Sequence, residues 1–147
     1  MEANDRPPTV LFLCTGNYYR SRFAELYFNA LAAERGSRWR ADSRGLRIFV
    51  GNDGPISTYT IDWLTNMGIR LPDPHRFPIP IAETDLHAAR HVVAVKEAEH
   101  RPMLEANYPT WVERVEFWHI HDLDFAMPEL ALPQLRGKVE ELIARLA

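Results

Sequence analysis

The stretch that decides the fold runs from Val10 to Ser21 and reads VLFLCTGNYYRS. Its first four residues are apolar without alternation, the pattern of a strand buried on both faces, and Thr9 to Leu13 is therefore read as a central strand. From Arg22 onward Phe23, Leu26, Tyr27, Ala30 and Leu31 recur at helical spacing, and Gly36 stands where such a helix would stop. A buried strand, a tight loop and a helix follow one another in under thirty residues.

Further along, a weaker strand is expected at Trp39 to Ser43, then a helix capped by Ser57 and ending at Gly68, then a proline-rich loop from Arg70 to Pro80. His91 to Val95 reads as a second buried strand. A helix from Glu97 stops before Pro109, Val115 to Ile120 reads as another strand, and a last helix is expected from near Pro133 with Leu135, Val139, Leu142, Ile143 and Leu146 on one face. Strands alternating with helices imply right-handed crossovers, hence an α/β fold with a parallel sheet covered by helices on both faces.

The chain has 147 residues, a length that suits one domain, taken to span residues 1–147. Hydrophobic residues make up 46% and charged residues 25%, as in an ordinary globular protein, so neither disorder nor a coiled coil is suggested, and a formal charge of -3 gives no reason to expect a nucleic-acid partner. Arg35, Arg38, Arg40, Arg44 and Arg47 crowd one stretch and are read as a solvated basic face. A single cysteine cannot form an internal disulfide, and the residues MEANDRPPTV lack the basic and then apolar order of a signal peptide, so the cytoplasm is the expected compartment. No apolar run reaches the roughly 20 residues that a membrane-spanning helix requires.

In sheets of this kind ligands bind beyond the carboxyl ends of the strands, beside helix N-termini. The first such loop here is Cys14, Thr15, Gly16, Asn17, Tyr18, Tyr19, Arg20 and Ser21. A loop whose backbone N–H groups turn inward before a helix forms a nest for an anion, and the helix dipole adds to it. Gly16 is expected to supply backbone freedom and Asn17 to hold the turn. The same field lowers a thiol pKa, so Cys14 is expected as a thiolate nucleophile. Arg20 offers a planar fork of donors to phosphoryl oxygens, and Ser21 a hydrogen bond to the sulfur. A nucleotide-binding Gly-rich loop is excluded because no lysine precedes Lys96.

With these residues in place, VLFLCTGNYYRSRFAE resembles the opening of the low-molecular-weight protein tyrosine phosphatases and related arsenate reductases, V-x-F-[VL]-C-x-G-N-x-x-R-S-x-x-A-E. Asp42 to Gly45 is similar to that family's Ser-Ala-Gly segment, and Asn66 to Ile69 with His75 and Arg76 to its Gly-Ile and His-x-[AS]-Arg region. The resemblance implies a four-stranded parallel sheet and a phosphocysteine mechanism acting on phosphotyrosine or other aryl phosphates, in a phosphorylated protein or a small molecule. It implies no metal and no other cofactor.

It also implies a general acid in an Asp-Pro pair after the last strand. The segment Trp118 to Phe125 resembles that region; Asp122 fits its register better, and Asp124 is the alternative. Phe125, Tyr18 and Tyr19 are candidates to wall the cleft. Tyr19 stands where better-known members carry a second, protective cysteine, and Arg22 where a proline usually follows the Arg-Ser pair. Two other functions fit the same loop: arsenate reduction with an external thiol, and phosphate binding without turnover.

Overall fold

A computed structural model describes residues 6–123 and 126–146. In chain order the elements are β1 (Thr9–Cys14), α1 (Arg20–Arg35), β2 (Arg40–Gly45), α2 (Thr58–Asn66), α3 (Glu83–Ala88), β3 (His91–Ala94), α4 (Glu97–Asn107), a 3-10 turn (Pro109–Arg114), β4 (Val115–Phe117) and α5 (Pro128–Leu146). The sheet has four strands in the order β2-β1-β3-β4, and every pairing is parallel. β1 is central, as its unbroken apolar run requires.

The alternation of β1 divides the core in two. Val10, Phe12 and Cys14 point into a cluster with Phe23, Phe28, Leu135, Val139 and Leu142 of α1 and α5, while Leu11 and Leu13 point into one with Leu86, Leu104 and Trp111 on the other face. Phe12 meets Phe28 edge-on at a centroid distance of 6.1 Å and Trp118 at 5.8 Å. Both faces of the sheet are covered, and its carboxyl edge carries the loops described below.

Several boundaries differ from expectation. α1 starts at Arg20, two residues early, because the loop itself turns directly into the first helical turn. α5 begins at Pro128, so that Pro133 lies inside it, where the missing N–H forfeits one helical hydrogen bond. β4 ends at Phe117, although Trp118 N and Ile120 N still donate to Ala94 O at 2.9 Å and Val95 O at 2.8 Å. The weak strand is present as Arg40–Gly45, held by its register on β1 from Thr9 with Arg40 to Cys14 with Gly45. α3 and the 3-10 turn were not anticipated. No described helix is long and apolar enough to cross a membrane.

Candidate active site

Cys14 closes β1 and is 2% exposed. Its Sγ lies 2.9 Å from Ser21 Oγ across the loop. Asn17 Nδ2 donates to the same Ser21 Oγ at 2.8 Å, so the hydroxyl's own proton is left to point at the sulfur. The turn that permits this falls on Asn17, at φ 53°, and not on Gly16, which keeps a negative φ. Asn and Asp tolerate this left-handed region better than other side chains, and here the amide is held from both ends.

Asn17 Nδ2 also donates to Ser43 Oγ at 2.9 Å, while Asn17 Oδ1 accepts from Arg76 Nη1 at 3.0 Å and from Ile79 N at 3.1 Å. Behind them, Ser43 Oγ donates to Glu25 Oε1 at 2.6 Å and Arg76 Nη2 donates to the same oxygen at 2.9 Å. The two segments singled out in sequence, around Ser43 and Arg76, thus converge on the loop's asparagine. Asn17 and Ser21 are fully buried behind the loop.

Gly45 is required by close approach: a Cβ there would lie 2.4 Å from Ile48 Cδ1, 3.0 Å from Thr15 O and 3.1 Å from Asn17 Cβ. Arg22, in the usual place of a proline, is 3% exposed and ties three backbones together, donating to Asn17 O at 3.4 Å, Pro55 O at 3.0 Å and Arg76 O at 2.8 Å. Burial and the neighbouring Arg76 guanidinium push its pKa down to about 10.

Arg20 is 2% exposed and held by a partner the sequence reading missed. Its Nη1 lies 3.2 Å from Glu99 Oε1 and its Nη2 2.9 Å from Glu99 Oε2, an end-on bidentate pair, and Nη1 also donates to Ile120 O at 3.0 Å. Asp122 Oδ2 stands 3.5 Å from Arg20 Nη2. Glu99 also accepts from the Thr15 hydroxyl. Beyond Thr15 lies His100, fully buried, whose Nδ1 accepts from Lys96 N at 3.1 Å. That acceptor role places the imidazole proton on Nε2, which faces Thr15 Oγ1 at 3.0 Å and Glu99 Oε2 at 3.3 Å. Burial pushes the His100 pKa down, consistent with a neutral ring. Burial opposes ionisation of Glu99, yet hydrogen bonds from His100, Arg20 and Thr15 hold its pKa well below the carboxylate range.

The sequence signal for Glu99 was available in principle: an acid in the first turn of the helix that follows a strand adjacent to β1. Its distance of 79 residues from Arg20 hid the pairing.

These groups open onto a cleft of about 530 Å³ lined by Cys14, Thr15, Gly16, Tyr18, Tyr19, Arg20, Arg47, Phe49, Asn52, Ser57, Asp122 and Leu123. Tyr18 and Tyr19 line it as expected. Phe49 was not foreseen. Phe125 and Asp124 lie outside the described residues. The expected solvated face is only partly one: Arg44 pairs with Asp42 at 2.8 Å and Asp85 at 3.3 Å, and Arg47 lines the cleft. His119 is exposed, and no group of three or more potential metal ligands occurs among the described residues. A larger groove of about 670 Å³ between α1 and the end of α2 holds no thiol and none of these groups.

A buried thiol at the end of a central parallel strand, seated in a loop that runs into a helix beside a paired arginine, is the arrangement of a cysteine-based phosphatase. The chain belongs to the low molecular weight phosphotyrosine protein phosphatase family, whose model matches residues 9–142. It is 27% identical over 146 residues to the protein-arginine-phosphatase of Bacillus subtilis, covering 94% of this chain and 93% of that one. Among solved structures, the low molecular weight protein tyrosine phosphatase of T. tengcongensis superposes with a TM-score of 0.79 at 29% identity, covering 94% of this chain and 99% of the other. YfkJ of Bacillus subtilis superposes with a TM-score of 0.82 at 24% identity, covering 95% and 94%.

Proposed function

We propose that the protein hydrolyses phosphotyrosine or other aryl phosphate monoesters through a phosphocysteine intermediate. The observation that carries this reading is the convergence of Cys14, Arg20 and Asp122 on one cleft, with Ser21 Oγ 2.9 Å behind the sulfur and Asp122 Oδ2 3.5 Å from Arg20 Nη2. Cys14 Sγ, as thiolate, attacks phosphorus. The S–P bond forms as the ester P–O bond breaks, and the departing oxygen takes the proton of Asp122. Water then attacks phosphorus, gives a proton back to Asp122, and expels the thiolate, which the Ser21 hydroxyl stabilises as a leaving group.

Glu99 occupies the end-on edge of the Arg20 fork and Ile120 O a further hydrogen. That leaves Nε–H and the second Nη2 hydrogen for two phosphoryl oxygens, with the backbone N–H groups of Thr15 to Arg20 serving the rest. Tyr18 and Phe49 provide apolar walls for an aryl group. Glu99 is a positioning residue in this scheme, since it acts through Arg20.

The test is hydrolysis of p-nitrophenyl phosphate under reducing conditions by wild type, Cys14→Ser and Asp122→Asn. Turnover by wild type, none by Cys14→Ser, and slowing of Asp122→Asn chiefly on esters with poor leaving groups are the expected results. Phosphate binding without turnover by wild type would make the loop an anion receptor instead. Arsenate reduction on the same loop would draw its second thiol from outside, since the sequence holds one cysteine. A second reading takes phosphoarginine as substrate, after the named activity of the Bacillus subtilis relative; Asp122 in the cleft would then face a guanidine leaving group.

A further inference from the structure

We propose that Arg47 is a specificity-determining residue that selects phosphotyrosine sites flanked by a carboxylate side chain. The inference rests on the phosphatase reading above and names the substrate class within it.

Where β2 ends, the chain bends against the nucleophile's loop. Leu46 N donates to Cys14 O at 2.9 Å and Arg47 N to Thr15 O at 2.8 Å, so the Arg47 backbone is fixed to the nucleophile's own loop. Ile48 turns back over Gly45, while Arg47 and Phe49 on either side of it both line the cleft. The lip of the site carries both an aromatic ring and a guanidinium.

What distinguishes Arg47 is that its charge is uncommitted. Arg20 is paired with Glu99, Arg76 with Glu25, and Arg44 with Asp42 and Asp85, while Arg22 donates to three carbonyls. Arg47 is exposed, and its guanidinium has no hydrogen-bond or ion-pair partner among the described residues. Since Glu99 neutralises Arg20, it is the cation at the cleft with charge to spare. A ring stacked between Tyr18 and Phe49 brings the residues next to it in the peptide to this lip. A Glu or Asp there meets a positive charge. An unmodified Arg or Lys side chain at the same place would meet a like charge, so the lip discriminates against basic flanks.

The experiment uses two phosphotyrosine peptides that are identical except for Glu or Gln on both sides of the phosphorylated residue. kcat/KM is measured for wild type, Arg47→Gln and Arg47→Glu, and affinities for the same peptides are measured in the Cys14→Ser background. Wild type is expected to prefer the Glu peptide by about threefold to fivefold at low ionic strength, the range of an exposed ion pair. The preference should shrink in 0.5 M salt, vanish in Arg47→Gln and invert in Arg47→Glu. An equal loss on both peptides in Arg47→Gln would mean that Arg47 acts on the phosphoryl group alone, and would overturn the proposal. So would a wild type without preference. If no peptide is turned over, the phosphatase reading fails by itself, while the affinity ratios in the Cys14→Ser background still decide what Arg47 recognises.

Discussion

Arg20 and Glu99 form a bidentate pair at 3.2 and 2.9 Å, with the arginine 2% exposed and the glutamate backed by Thr15 and His100. The carboxylate fixes the plane of the guanidinium before any substrate arrives. Such preorganisation is worth most where the charge it serves develops only in the transition state.

Replacing Glu99 by Gln keeps the shape and removes the charge. The buried guanidinium then lacks a full counter-ion, and stability is expected to fall by about 2–4 kcal/mol. Activity on p-nitrophenyl phosphate should fall by roughly 10- to 100-fold, with weaker competition by inorganic phosphate, since a loosened fork binds the phosphoryl oxygens less well. Denaturant unfolding and steady-state kinetics check both. Unchanged phosphate inhibition would remove Glu99 from the site.

His100 sets an acid limit on stability. Burial lowers its pKa in the folded state, so below the ordinary histidine value of about 6.5 the unfolded chain takes up a proton that the folded one refuses. Stability should therefore fall as pH drops, by up to about 2 kcal/mol at pH 5 from this group. Glu99, whose folded pKa is also depressed, adds to the loss below about pH 4.5, its ordinary value. Unfolding curves at pH 7.5, 6 and 5 should show a shallower decline for His100→Gln than for wild type.

Arg22 is predicted to be structural. Arg22→Met removes the donors to Asn17 O, Pro55 O and Arg76 O, leaving those carbonyls to be rehydrated or unpaired. A loss of about 2–4 kcal/mol is expected, read as a lower thermal midpoint. Restoration of most of the stability by Arg22→Lys would show that charge rather than the planar fork is what matters, contrary to this account.

The hydroxyl of Tyr19 is buried without a hydrogen-bond partner among the described residues. Burial and the Asp122 carboxylate push its pKa up to about 12, so it remains a neutral phenol at any working pH. Tyr19→Phe deletes only that unpaired oxygen. The folded protein should be as stable as wild type or more stable by up to about 1 kcal/mol, measured by thermal unfolding, whereas a clear loss would reveal a partner for the hydroxyl.

How legible all this was in the sequence depended on distance along the chain. The nucleophile, its loop and the arginine lie within seven residues, and their order between a buried strand and an amphipathic helix is a local pattern. So were the parallel sheet and β1 at its centre. The partners of that loop are not local. Glu99, His100 and Phe49 reach it only because β2 and β3 flank β1 in register, which no spacing along the chain reveals. Glycine drew the reading of the turn, but the left-handed residue is Asn17, stabilised by Ser43 and Arg76 from two other segments. α5 was expected to start at its second proline because Pro133 precedes the clearest apolar repeat, whereas Pro128 satisfies the same first-turn preference five residues earlier.

Past Gly45 the chain bends, and Leu46 N and Arg47 N hold it against the nucleophile's loop. From Phe49 to Gly54 the chain leaves the sheet, with Phe49 and Val50 turned to solvent and Asn52 Nδ2 donating to Phe49 O at 3.3 Å. Chemistry and choice of target thus sit on adjoining parts: the nucleophile's seat is built from the sheet, Arg47 is tied to it through Thr15 O, and the tip beyond reaches back to the loop where Asp53 O accepts from the Tyr18 hydroxyl. Exchanging that tip for a different length or composition would retune which molecules are admitted and leave the sulfur, its serine and the Arg20–Glu99 pair where they stand.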